Sequence, residues 1–112
     1  MEPKIMYIEL KTHAGGHNDR GAARIGRVTF NRTGKTLTYR GKRFQKGGTD
    51  CCANYHDVET QEGYWISGPK KNGQDRHSCG GGAVEIDEDV REEYWVKIRN
   101  QPQNINRKYS NM

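Results

Sequence analysis

Between Val28 and Arg40 the chain alternates apolar and polar residues twice, as Val28-Thr29-Phe30 and Thr36-Leu37-Thr38-Tyr39-Arg40, around the break Asn31-Arg32-Thr33-Gly34. A period of two marks strands with one buried face, and Gly34 can supply the positive φ that a tight hairpin with a bulge needs. The polar face of this hairpin is basic. That favours a binding surface over an active site.

Other segments repeat the pattern. Ile5 to Leu10 reads as a strand with Met6, Ile8 and Leu10 on one face and Ile5, Tyr7 and Glu9 on the other. A strand from about Arg24 to Phe30 puts Gly26, Val28 and Phe30 on one face, and Gly26 marks a bend or a close backbone approach. Leu37 and Tyr39 point inward, Gly41 turns the chain, and Lys42–Gln45 follows. A second hairpin joins Tyr55–Glu59 to Tyr64–Ser67 and ends at Pro69, which cannot donate to a ladder. Asn72-Gly73 predicts a turn into a short strand at Gln74–Ser78. His13–Asp19 and Lys46–Asn54 read as loops, and Gly80-Gly81-Gly82 as a flexible connector.

From Asp87 the period changes. Val90, Tyr94, Trp95 and Ile98 form an apolar stripe, Asp87 suits an N-cap, and Glu88 and Asp89 fall in the first turn, where carboxylates complement the helix dipole. A helix is predicted over about 87–99, with a flexible polar tail at 100–112. The fold expected is mainly β: a small SH3-like barrel, or a strongly bent antiparallel sheet of five to six short strands. One C-terminal α-helix covers an open end or edge of this single domain, residues 1–99.

Leu, Ile, Val and Phe make up only 16 of the 112 residues, so the core must draw on aromatics. Phe30, Tyr39, Trp65 and Trp95 are expected to be packed, and Tyr7 and Phe44 to be exposed. No apolar run approaches the ~20 residues of a membrane helix. Three cysteines do not make an even disulfide framework, which points to a reducing cytoplasm.

An ordered set of segments resembles a family of small bacterial proteins: Asp57-Val58-Glu59-Thr60, Tyr64-Trp65-Ile66-Ser67-Gly68, Asp75-Arg76-His77 and Val84-Glu85-Ile86-Asp87-Glu88-Asp89-Val90-Arg91-Glu92-Glu93-Tyr94-Trp95. The resemblance covers residues 4–99. Some members carry the label 1-deoxy-D-xylulose-5-phosphate synthase. That thiamine-diphosphate enzyme needs far more protein, and this chain has no Gly-Asp-Gly cofactor motif. The resemblance implies no catalytic residues.

Three function classes follow from the residues. Residues 1–50 carry eleven Lys/Arg against four Asp/Glu, whereas 82–99 carry three against six. The first class is non-catalytic binding of an anionic partner, RNA or DNA foremost. Its candidate contacts are Arg24, Arg27, Arg32, Lys35, Arg40, Lys42, Arg43, Phe44, Lys70, Lys71 and Arg76, cations that neutralise phosphates with little base readout. The second is a protein-interaction module using aromatic grooves or the acidic face of Glu85, Asp87, Glu88, Asp89, Glu92 and Glu93, a cluster that also suits shielding of the basic face. The third is a metal or thiolate site from Cys51, Cys52, His56, His77 and Cys79. Adjacent Cys51 and Cys52 point apart on a regular backbone, and His77-x-Cys79 is not a zinc-knuckle spacing. No metal, cofactor or membrane partner is therefore expected.

Overall fold

The computed structural model describes residues 3–10, 23–47, 53–73 and 83–110. The readings at His13–Asp19, Gln74–Ser78 and Gly80–Gly82, with Cys51, Cys52, Arg76, His77 and Cys79, lie outside them.

Seven strands form: β1 (Lys4–Leu10), β2 (Ala23–Phe30), β3 (Thr36–Tyr39), β4 (Lys42–Lys46), β5 (Tyr55–Asp57), β6 (Gly63–Ser67) and β7 (Val84–Ile86). They follow the order β1-β6-β5-β4-β3-β2-β7, and β1 also pairs with β2. The first six strands therefore close an antiparallel barrel, and closure removes the free edges that an open sheet would present. The expected hairpin is there. Phe30 faces Leu37 across it, Gly34 takes φ 75°, and the Asn31 side-chain carbonyl accepts the Thr36 amide at 3.2 Å.

β7 is not foreseen by the sequence reading. Its three residues run parallel to β2, Ala23 beside Val84, Arg24 beside Glu85 and Ile25 beside Ile86. Three residues immediately ahead of a helix carry too little periodicity to announce a strand. Helix α1 spans 88–98 in three geometries: a 3-10 turn Glu88–Val90, an α turn Arg91–Glu93 and a π segment Tyr94–Ile98. The π segment widens the turn, and the two consecutive aromatics Tyr94 and Trp95 are both buried within it.

Alternation along β1 and β2 splits the apolar residues between two cores. Ile8, Val28, Leu37, Tyr39, Phe44, Tyr55 and Ile66 fill the barrel interior. Ile5, Tyr7, Ala23 and Ile25 face the other way, where Val84, Ile86, Val90, Tyr94 and Trp95 cover them. The helix thus lies against the outer wall of β1, β2 and β7 rather than over an end of the barrel. Two expectations of exposure are corrected by this arrangement. Tyr7 is 0% exposed because its wall is the one the helix covers, and Phe44 is 1% exposed because it points into the barrel. Trp65, expected to be packed, is 40% exposed. It faces outward on β6, opposite Glu9 and out of phase with the inward Ile66.

The residues read as a polar tail return to the sheet. Pro102–Asn104 forms a 3-10 turn, and Lys108 and Ser110 then pair with β7 through Ile86 N to Lys108 O, 2.7 Å, and Ser110 N to Val84 O, 2.9 Å. The Trp95 indole donates to Arg107 O at 3.1 Å. The outer edge of β7 is thereby covered. Among the described residues no helix is long and apolar enough to cross a membrane.

A chain ending after Gln101 loses these three hydrogen bonds. At roughly 0.5–1.5 kcal/mol net for each, we expect it to unfold in urea with about 2–4 kcal/mol less stability than the full chain. Unchanged stability would show that the returning segment does not brace β7.

Candidate nucleic-acid interface and barrel mouth

The wall of the barrel splits at Gly26. Ahead of it β2 pairs with β7, and beyond it with β3. Asp87, the residue after β7, turns its carboxylate into this split. One oxygen accepts the Tyr39 hydroxyl at 2.6 Å, and the other accepts Arg24 Nε at 2.8 Å. The Asp87 amide donates to Ile25 O at 2.8 Å.

Only glycine fits beneath this arrangement. A Cβ on Gly26 would lie 2.3 Å from Asp87 Oδ2 and 2.5 Å from Tyr39 Cε1. The close approach read from the sequence is therefore real, and its cause is a carboxylate 61 residues further along the chain. Asp87 precedes the helix as expected, but its side chain makes no cap hydrogen bond. Tyr39 and Arg24 take that carboxylate instead.

The electrostatics follow from burial. Tyr39 is held far above the ordinary tyrosine value, first by desolvation and then by its bond to Asp87, with Arg24 pulling the other way. For Arg24, burial opposes the charge, but Asp87 and Tyr39 outweigh it and the guanidinium is held above its usual value.

The eleven sequence-predicted contacts separate into distinct places. Arg24 is engaged by Glu85 at 3.2 Å and Asp87 at 2.7 Å, and Arg27 pairs with Glu93 at 3.1 Å. Part of the acidic cluster therefore does shield part of the basic face. Phe44 is buried and offers no stacking surface, which removes it from the interface. Arg40 and Gly41 form the two-residue turn between β3 and β4, with φ 50° and 82°. Arg40 reaches Asp87 only at 3.8 Å. Lys42 is exposed beside it, while Lys70 and Lys71 are exposed in the turn that ends at Gly73. Arg76 lies outside the described residues.

The remaining candidates share the half of the barrel that the helix leaves bare. Arg43 and Gln45 point outward from β4 opposite Thr38 and Thr36, and His56 follows on β5 opposite Gln45. Arg32 and Lys35 are exposed in the β2–β3 turn. Lys46 is also exposed and extends that ladder, its amide donating to Lys35 O at 2.8 Å. Among the described residues no acidic side chain lies within 4 Å of Arg32, Lys35, Arg43 or Lys46. The exposed Trp65 is the aromatic the sequence reading assigned to the core. Its odd position in β6, out of phase with Ile66, was the signal for an outward face.

Of the proposed metal or thiolate set only His56 is described, and its Nδ1 lies 2.6 Å from Gly47 O. Among the described residues no three His, Cys, Asp or Glu side chains gather as a cation site. No protein-family model matches the chain, and neither does any curated protein or solved structure.

Two tests address the Asp87 junction. Gly26→Ala forces the junction apart, and we expect a loss of about 1–3 kcal/mol in urea unfolding; a loss near zero would mean the close approach is absent in solution. Because the fold favours neutral Tyr39, its stabilisation is complete below the unfolded value near pH 10 and is lost as pH rises from there towards the raised folded value. Unfolding midpoints measured from pH 8 to 11 should therefore fall more steeply for the wild type than for Tyr39→Phe. Parallel curves would remove Tyr39 from the account.

Proposed function

We propose that the bare wall of the barrel, β3 to β6, binds single-stranded nucleic acid without base-specific readout. One observation carries this reading: exposed cations with no carboxylate partner among the described residues, Arg43 on the outer face of β4, Lys46 at the end of that strand and Arg32 and Lys35 in the β2–β3 turn, adjoin an outer face that also carries the exposed Trp65. Phosphates would be tracked by the cations while a base stacks on Trp65, the combination by which small barrels hold single strands. Thr36, Thr38 and Gln45 add neutral hydrogen-bonding groups to the same face, suited to sugar and phosphate oxygens.

Arg24 and Arg27 leave the interface on energetic grounds. Each already has a carboxylate partner within about 3 Å, so a phosphate would displace an existing pair rather than add a new one. A protein-binding surface would draw on the same Trp65 but not on the cations.

The test is fluorescence anisotropy with labelled single-stranded RNA and DNA across a salt series. Log affinity should fall with log salt at about −0.7 per phosphate contacted. Replacing Lys35, Arg43 and Lys46 by Gln should flatten that slope by about 2, and Trp65→Ala should cost roughly 1–3 kcal/mol. Arg27→Gln should change neither. Absence of binding at low salt, or binding indifferent to the triple substitution, would reject the reading. Sensitivity to Trp65 alone, read against a protein partner, would favour the protein-binding surface.

A further inference from the structure

A second feature lies at the end of the barrel where β1 finishes and the Arg40-Gly41 turn stands. Six strands make a narrow barrel, and its interior is filled by side chains. The filling stops short of this end, where a cavity of about 340 Å³ opens, its floor and walls made by Ile8, Leu10, Tyr39, Phe44 and Tyr64. Phe44 and Tyr64 meet edge to face, with ring centroids 4.7 Å apart, and give the cavity a rigid aromatic side. Its size falls at the lower end of small-ligand pockets, which are apolar with a few placed polar groups.

Those polar groups are cations. Among the described residues Arg24, Arg40 and Lys42 are the charged side chains that line the cavity, and no carboxylate does. Arg24 is committed to Asp87 and Glu85, whereas Arg40 meets Asp87 only at 3.8 Å, which leaves Arg40 and Lys42 as the cations of the rim. Burial first, and then the charges of Glu62 and Asp57, raise the Tyr64 pKa, so Tyr64 stays a neutral phenol. Arg40 also stands in the left-handed region at φ 50°, a conformation that strains a non-glycine residue. Asn or Gly would fill the turn with less strain, so the guanidinium is held at the rim against local backbone preference.

We propose that this mouth binds a small amphipathic organic anion, an apolar ring or short chain seated on Ile8, Leu10, Phe44 and Tyr64, with its carboxylate, sulfonate or phosphate on Arg40 and Lys42. The proposal is independent of the nucleic-acid reading, which uses the outer wall of the same strands.

The probe is anilinonaphthalene sulfonate, whose fluorescence rises in apolar sites, titrated into the full chain with near-UV circular dichroism confirming native packing. Saturable binding of one probe per chain is expected. The double variant Arg40→Asn with Lys42→Gln keeps a residue suited to the turn and should weaken binding about tenfold, as loss of a charged hydrogen bond does. Leu10→Trp should block the cavity, and the uncharged phenylnaphthylamine should bind less tightly than the sulfonate. Lys35→Gln with Arg43→Gln, on the outer wall, should leave probe binding unchanged. Absence of saturable binding, or binding that survives both the rim and the Leu10 substitutions, would overturn the proposal. Should Leu10→Trp fail to fold, an unweakened rim variant is sufficient to reject it.

Discussion

The Asp87 carboxylate is the junction on which the two halves of this protein depend. It is 7% exposed, and its two oxygens bind different strands, Tyr39 of β3 and Arg24 of β2. It does so at the place where β3 and β7 part company along β2. A gap in a barrel wall would leave backbone groups of β2 unsatisfied, and buried unsatisfied groups are costly. Asp87 meets that need with its own amide as well, donating to Ile25 O. Because the same residue opens the helix, the junction also sets where the helix begins and which wall it covers. Gly26 is the steric condition for all of this, since any side chain there would occupy the carboxylate's position.

The second constraint is the scarcity of aliphatic residues. A single interior lined by aliphatics could not be filled from this composition. The chain instead uses both faces of β1 and β2, one turned to the barrel interior and one to the helix, and places aromatics in both cores, Tyr39, Phe44 and Tyr55 inside and Tyr7, Tyr94 and Trp95 outside. Trp95, Tyr94 and Tyr7 each remove on the order of 150–250 Å² from water there. Consecutive aromatics on an ideal α-helix would diverge by 100°, and the π segment relaxes that divergence. Arg99 then lies over both rings, 4.8 Å from the Trp95 centroid and 5.8 Å from that of Tyr94, and donates to Ser110 O at 2.9 Å. A cation is thus part of the outer core's seal, and it ties the helix to the returning segment.

How much of this was legible in the sequence depends on the range of the cause. The hairpin, the inward Leu37 and Tyr39, the closeness at Gly26 and the extent of the helix all follow from local period and turn chemistry, and the structure contains them. What was misread turns on non-local facts. Tyr7, Phe44 and Trp65 obey the alternation that was read, but alternation does not say which outer wall a helix will cover. Arg24 and Arg27 look like free cations because their partners lie 61 to 66 residues away. β7 and the returning segment are too short and too polar to carry a period, and only their pairing defines them.

The charge asymmetry of the sequence becomes a spatial asymmetry by the same route. The acidic end of the chain folds back on the basic half but reaches only one side of it, because the helix follows β7 and β7 follows β2. Among the described residues carboxylates are therefore delivered to Arg24 and Arg27, with Arg40 only at 3.8 Å from Asp87, and to no cation of β4. A helix docked over the barrel end, as the sequence suggested, would have covered the mouth and spread its carboxylates around the rim. Docked on the wall instead, it leaves open both the mouth with Arg40 and Lys42 and the face with Arg43 and Lys35. The choice of wall over end is made by Ile5, Tyr7 and Ile25, whose outward apolar face needs cover more than the small mouth does.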